Sequence, residues 1–121
     1  MLKVHAKKLG NVAVLCLQGR IVNGETEILR DAVRSLPEAG TLVLDLARVT
    51  TVDARGLGLM LELRQQAEAK GTRFELTNIT SLVRRVLEVS RLDSVFQITP
   101  AVEFVAAGSR NSRAPLAAYA A

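Results

Sequence analysis

The sequence predicts a single α/β domain in which a mixed β-sheet packs against about four helices. The chain has 121 residues, the usual size of one domain, and 49% of them are hydrophobic, which suffices for one buried core. Two β-prone segments at the start are separated by Gly10 and Asn11, which indicates an antiparallel hairpin. Beyond the hairpin, helical and strand patterns alternate, as is typical of a sheet backed by crossover helices.

The predicted hairpin consists of an alternating segment at 2–9 and a β-prone run at 12–18. Cys16 is in phase with Val12 and Val14 in the second strand, so we expect a small buried side chain rather than a reactive thiol. His5 is expected near the edge of the sheet. A single cysteine excludes an internal disulfide and a cysteine-rich zinc site, and a single histidine makes histidine-based metal or triad chemistry improbable.

A first helix is predicted between Asn23-Gly24 and Pro37, because apolar residues recur there at spacings of three and four. These residues are Ile28, Leu29, Ala32, Val33 and Leu36. The run at 41–46 is short and almost entirely apolar, which is typical of a strand buried on both faces. It is therefore predicted to be the central strand, followed by a loop.

The second half of the chain continues the alternation. We expect a helix over 57–70 that ends at Gly71 in a left-handed cap, and then a strand over 73–77. Thr80 is predicted to cap a third helix that extends to 89. Its core side is expected to be Leu82, Val83, Val86 and Leu87, and its solvent side Arg84, Arg85 and Glu88.

A short strand over 95–98 and a fourth helix over 99–108 complete the prediction, with Pro100 in the first turn of that helix. The domain is then expected to span 1–108. Residues 109–121 show no amphipathic pattern and are predicted to be a flexible tail.

Composition excludes several classes of function. The net charge is +4, but Arg110 and Arg113 belong to the tail, so residues 1–108 are nearly balanced in charge. Aromatic residues make up only 3%, too few for a base-stacking platform, so nucleic-acid binding is not predicted. No apolar run reaches the roughly 18 residues that a membrane span needs, and we expect a cytoplasmic protein without membrane insertion.

The connection from the predicted central strand to the second helix is the expected binding surface, because open α/β sheets bind ligands at the carboxyl ends of their strands. Asp53 is predicted to be the N-cap, accepting hydrogen bonds from the amides of Arg55 and Gly56. Gly56 and Gly58 would allow close approach, but the third small residue of a dinucleotide fingerprint is absent. No Walker lysine follows a glycine-rich loop, and no cysteine and histidine are expected to assemble a nucleophile and its base, so neither a cofactor nor catalysis is predicted.

Several stretches of the sequence resemble the STAS domain family, which includes the anti-sigma factor antagonists of bacteria. They are LQGRIVNGET at 17–26, LVLDLARVTTVDARGLGLML at 42–61, GTRFELTNI at 71–79 and VLEVSRLDSVF at 86–96. The resemblance covers residues 2–107 in the family's order. It implies a STAS-like fold and a non-catalytic module that binds a kinase-type anti-sigma factor and thereby releases a sigma factor.

In this family the partner phosphorylates a serine at the helix start, usually within Asp-Ser-Ser-Gly or Asp-Ser-Ala-Gly. Here the corresponding residues are Asp53, Ala54, Arg55 and Gly56, so the family position has no hydroxyl group to phosphorylate. We therefore expect constitutive or differently regulated binding. The nearby Thr50 and Thr51 are interpreted as strand-end residues rather than as relocated phosphorylation sites.

The resemblance assigns partner binding to the helix start and the preceding turn. The predicted partner-binding residues are Asp53, Ala54, Arg55, Gly56, Leu57 and Gly58, together with Asn23 and Gly24. Two alternatives stay open: an accessory subunit of a lipid-transport ATPase, in which the same fold is a structural partner, and a sensor of a nucleotide or another small ligand. The sequence also leaves a homodimer open.

Overall fold

The computed structural model describes residues 1–100 as one five-stranded sheet with three helices, which confirms the predicted α/β class. The elements in chain order are β1 (Lys3–Leu9), β2 (Val12–Ile21), α1 (Thr26–Arg34), β3 (Thr41–Val52), α2 (Ala54–Ala69), β4 (Arg73–Thr77), α3 (Ser81–Val89) and β5 (Gln97–Thr99). Of the predicted fourth helix at 99–108, Thr99 instead ends β5 and residues 101–108 lie outside the described part. The predicted tail at 109–121 lies outside it as well.

The strands lie in the sheet in the order in which they occur in the chain. β1 and β2 are antiparallel, as the predicted hairpin requires, and the other neighbours are parallel. β3 is the central strand, as expected. Because each crossover advances one strand in the same direction and such connections are right-handed, α1, α2 and α3 cover the same face of the sheet.

β3 is longer than predicted. The loop expected after 46 is instead strand up to Val52, because β2 continues to Ile21 and pairs with it there. Irregularities in register near Cys16 and Gly19 bend this part of the β2–β3 ladder. β4 pairs with β3 only as far as Asp45. The rest of β3, residues 46–52, is therefore paired on one side only among the described strands.

The core lies between the sheet and the helices and is almost entirely aliphatic. On α3 the buried residues are Val83 and Leu87, as predicted, whereas Leu82 is 49% exposed and Val86 is half-buried. On α1 only Leu29 is fully buried, and Ile28 is 37% exposed. Both helices have only nine residues and contact the sheet along a narrow stripe, so the residue preceding each buried position is rotated out of the core.

The last strand begins later than expected. Residues 95 and 96 belong to a turn in which the N–H groups of Val95 and Phe96 both donate to the carbonyl of Leu92. Phe96 is nevertheless buried, packed against Phe74 with 6.2 Å between the ring centroids. Burial of an aromatic side chain in a turn produces an apolar signal that resembles the beginning of a strand.

Cys16 and His5 are register partners across the β1–β2 ladder, so the expectation that no cysteine and histidine would come together was wrong. His5 is exposed on the edge strand β1, as predicted. Cys16 is half-buried rather than buried, and its Sγ lies 4.0 Å from Oδ2 of Asp45. Burial raises the pKa of the Cys16 thiol and the Asp45 carboxylate raises it further, with Lys7 opposing. The thiol is therefore protonated near neutral pH and a weak nucleophile.

Candidate functional site

The strand-to-helix connection is shorter than the sequence indicated, because α2 begins at Ala54 directly after Asp53. Asp53 has an extended backbone, and its Oδ1 accepts a hydrogen bond from the N–H of Gly56 over 2.9 Å. This confirms the predicted N-cap with Gly56 as donor. The helix start predicted at 57 was too late because two glycines in the first turns lower helix propensity and hide the apolar periodicity.

The second oxygen of Asp53 makes a contact that the sequence did not reveal. Oδ2 accepts a hydrogen bond from the N–H of Asn23 over 2.9 Å, and the N–H of Asp53 donates to the carbonyl of Ile21 over 3.3 Å. Hydrogen bonds to the carboxylate lower the pKa of Asp53; the bond from Asn23 has the larger effect and the bond from Gly56 the next largest. The carboxylate therefore joins the turn after β2 to the start of α2.

Gly56 allows these two segments to come into backbone contact. A Cβ atom at this position would overlap the carbonyl oxygen of Ile21 and would lie 2.8 Å from its carbonyl carbon. Gly58 differs, because a Cβ atom there would meet nothing within 4 Å and the residue is exposed. The close approach predicted for both glycines thus exists at Gly56 within the chain itself, whereas Gly58 faces open space.

The structure brings the predicted partner-binding residues to one corner of the domain. The exposed residues here are Asn23, Gly24, Ala54, Arg55 and Gly58; Asp53 and Leu57 are half-buried and Gly56 is buried. We call the group formed by residues 23, 24 and 53–58 the helix-start surface. Its two segments are held together by hydrogen bonds to the Asp53 carboxylate.

Arg55 is the charged group that protrudes from this surface. Among residues 1–100 no carboxylate lies within 4.0 Å of its guanidinium. A cation in the first turn of a helix is also unfavourable beside the positive end of the helix dipole. Arg55 therefore stabilises neither the helix nor an internal ion pair, and its charge is available to a partner.

Hydroxyl groups lie near the surface but have local roles. Thr50 is exposed and its Oγ1 donates to the carbonyl of Gly19 over 3.2 Å, whereas Thr51 is half-buried in β3. In the part of the chain that the structure describes, no three histidine, cysteine or carboxylate side chains are grouped as a metal site would require. The three helices in that part are too short or too polar to cross a membrane.

A groove of about 670 Å³ lies beside the same end of the sheet, and no pattern in the sequence predicted it. β3 forms one wall through Arg48, Val49 and Thr50, and the first turn of α3 forms another through Thr80 and Leu82. The groove exists because β4 ends opposite Asp45 while β3 continues. No carboxylate lines it.

Comparison with known proteins gives consistent matches. A family model described as "Mlab, STAS domain" matches residues 4–100. A STAS-domain containing protein of Pseudomonas aeruginosa is 30% identical over 91 residues, which are 74% of this chain and 90% of that protein. BtrV of Bordetella bronchiseptica, whose name assigns it to the anti-sigma factor antagonists, is 26% identical over 92% of this chain and 97% of its own length.

Solved structures share the fold. An anti-sigma factor antagonist from Mycobacterium paratuberculosis superposes with a TM-score of 0.74, with 21% sequence identity over 92% of this chain and 96% of that one. The anti-sigma factor antagonist SpoIIAA in its unphosphorylated form gives a TM-score of 0.72, with 23% identity over 90% of this chain and 100% of its own. At this level of identity the likeness concerns the fold alone.

Proposed function

Because the chain belongs to the STAS domain family, we propose that it is a non-catalytic regulatory module that binds an anti-sigma factor of the serine-kinase type and thereby releases a sigma factor. The relatives named as anti-sigma factor antagonists support this role, and BtrV matches over nearly its whole length. The partner would bind the helix-start surface. The observation that carries the proposal is the pair of hydrogen bonds by which Asp53 fixes Asn23 and Gly56 to one corner.

A fixed surface favours binding because the partner does not have to order it. The Asp53 carboxylate and the backbone contact at Gly56 are already in place in the free protein. Preorganisation of this kind reduces the conformational entropy that is lost on association. The partner would then contact Ala54, Arg55 and Gly58 on the helix and Asn23 and Gly24 on the turn.

The absence of a hydroxyl at residues 54 and 55 bears on regulation. A phosphate at a helix start adds nearly two negative charges and can disrupt a fitted interface. Ala54 and Arg55 cannot accept one, and Arg55 places a permanent positive charge on the surface instead. The proposed module therefore binds without being switched off by phosphorylation at the helix start.

The first experiment is a quantitative pull-down from the source cells with wild type, Arg55→Glu and Arg55→Lys as baits and mass spectrometry as readout. Capture of a kinase-like anti-sigma factor by wild type, retained by Arg55→Lys and weakened more than about fivefold by Arg55→Glu, supports the proposal, since an exposed rim contact alone contributes up to about 1 kcal/mol. Equal capture by all three baits would show that Arg55 does not contribute to the interface. Capture of the subunits of a lipid-transport ATPase would favour the accessory-subunit alternative.

A second measurement tests the regulation. The purified protein is incubated with the captured kinase and ATP, and its intact mass is determined. An unchanged mass is expected. An added phosphate on Thr50 or Thr51 would show that the phosphorylation site has moved into β3.

A further inference from the structure

Within residues 1–100, the exposed side of α3 carries an apolar stripe that no other element covers. Leu82 is 49% exposed and Val89 is 78% exposed, and both belong to the small group of large apolar side chains left uncovered in the described residues. At about 100° per residue, Leu82, Val86 and Val89 fall within about 60° of one another around the helix. We call these three residues the α3 stripe. It is distinct from the buried side formed by Val83 and Leu87.

The groove beside β3 extends the α3 stripe toward the sheet. Leu82 lines this groove opposite Arg48 and Thr50, and the volume of about 670 Å³ is open to solvent. An apolar side chain inserted there would contact Leu82 on the α3 wall, whereas the β3 wall presents the exposed Arg48 and Thr50, because the side chain of Val49 is buried in the core. The stripe and the groove together therefore form a continuous surface with a place for an anchoring side chain.

The charges around this surface are positive. Arg85 lies about 60° from Leu82 around α3, and Arg48 stands on the far wall of the groove. Among residues 1–100 neither arginine lies within 4.0 Å of a carboxylate. Glu88, the acidic residue of α3, lies farther around the helix from the stripe than Arg85 does. Carboxylates on a partner that covers the stripe would therefore complement Arg48 and Arg85.

From these observations we infer that the α3 stripe, with Arg48 and Arg85 beside it, binds an acidic amphipathic helix of the same protein that binds the helix-start surface. The inference rests on the proposed function. The stripe extends over about two helical turns, the length over which a bound helix presents apolar residues at spacings of three and four. Thr50 on the groove wall is three residues from Asp53, the N-cap of α2, so the groove and the helix-start surface are near each other along β3.

The last 13 residues of the chain fit this surface poorly. Residues 109–121 include Arg110 and Arg113 and no acidic side chain, so their charge has the same sign as that of Arg48 and Arg85. A second copy of the domain that presented its own α3 stripe would meet the same difficulty, because both copies would bring Arg48 and Arg85 to the interface. A separate acidic partner is the occupant that the charges favour.

The test is site-specific photocrosslinking in the source cells with the full chain. A benzophenone amino acid is placed at Leu82, at Ala54 on the helix-start surface and, as a control, at Gln65, which is exposed farther along α2. We expect residues 54 and 82 to crosslink to the same protein and residue 65 to none. The peptide joined to residue 82 should carry apolar residues at spacings of three and four with flanking Asp or Glu.

Charge variants made in the Leu82 photocrosslinking protein complete the test. Arg85→Glu should lower the crosslinking yield by about fivefold, as expected for reversing a charge at an interface rim, and Arg85→Lys should retain it. A thermal melt confirms that each variant is folded. Retention of the full yield by Arg85→Glu would contradict the role of charge and overturn the inference.

The remaining outcomes separate the two proposals. A partner crosslinked from residue 54 but not from residue 82 overturns this inference and leaves the proposed function standing. Crosslinks from residue 82 only to residues 101–121, to a second copy or to a protein not reached from residue 54 also overturn it. Crosslinks from neither position, with all variants folded, overturn both proposals.

Discussion

The N–H of Asn23 donates to Oδ2 of Asp53 over 2.9 Å, although α1 and the whole of β3 lie between the two residues in the chain. The same carboxylate caps α2 through Gly56. The Asp53 side chain therefore accepts hydrogen bonds both from the turn after β2 and from the first turn of α2. The helix-start surface forms only when β2 and β3 are correctly paired.

Acid should weaken this corner of the domain. The folded state lowers the pKa of Asp53, so its contribution to stability is complete above the unfolded value of about 3.9 and is lost as the pH falls through the lower folded value. Asp53→Asn removes this contribution. We expect the variant to melt several degrees below wild type at pH 7, and the difference to shrink below about pH 4. A difference that stays constant down to pH 3 would contradict the role of the charge.

Gly56 and Gly58 should respond in opposite directions to the same substitution. Gly56→Ala forces a Cβ atom onto the carbonyl of Ile21 and should destabilise the protein by about 1–3 kcal/mol. Gly58→Ala meets open space inside a helix and should stabilise it by about 0.5–1 kcal/mol. Urea unfolding of both variants gives the comparison. Similar midpoints for the two would refute the backbone contact.

Two leucines of α3 form a second matched pair. Leu87 is fully buried, so Leu87→Ala should lower the free energy of unfolding by about 2–5 kcal/mol. Leu82→Ala, at a side chain that is half exposed, should change it by about 0.5 kcal/mol or less. Chemical denaturation monitored by circular dichroism provides both values. A large loss of unfolding free energy in Leu82→Ala would show that the Leu82 side chain is packed in the core.

The Cys16 thiol should react slowly. Because burial and then Asp45 raise its pKa, alkylation by iodoacetamide at pH 8 should be slower than that of a free thiol such as glutathione. Asp45→Asn should accelerate the reaction only in part, since the burial remains. Mass spectrometry over time follows the modification, with urea-unfolded protein as the fully accessible control. A rate equal to that of glutathione in the folded protein would show that the thiol is not shielded.

Local signals predicted the elements that depend on nearest neighbours. The hairpin, the central strand, β4 and the caps at Asp53 and Thr80 follow from alternation and from residues within three positions of the helix start. Gly71 adopts the predicted left-handed conformation, with φ of 77°. Such features are determined by a few adjacent residues and can be read directly from the sequence.

Features that depend on distant partners could not be predicted in this way. β3 continues past 46 because β2 provides partners as far as Ile21, and Asp53 meets Asn23 only in the assembled sheet. Leu82 has the spacing of a core residue, and only the position of α3 on the sheet decides that it points outward. The candidate site was located from its helix start, but its connection to the turn at Asn23 required the structure.

The one-sided pairing of β3 beyond Asp45 has a consequence for hydrogen exchange. Backbone amides of residues 46–52 that point away from β2 have no strand partner in the described sheet, so they open more easily than amides in the first half of the strand. This segment forms a wall of the groove and leads directly into Asp53. A protein bound across the groove and the helix start would slow deuterium uptake there first, so exchange in this half-strand can report occupancy without any label on the partner.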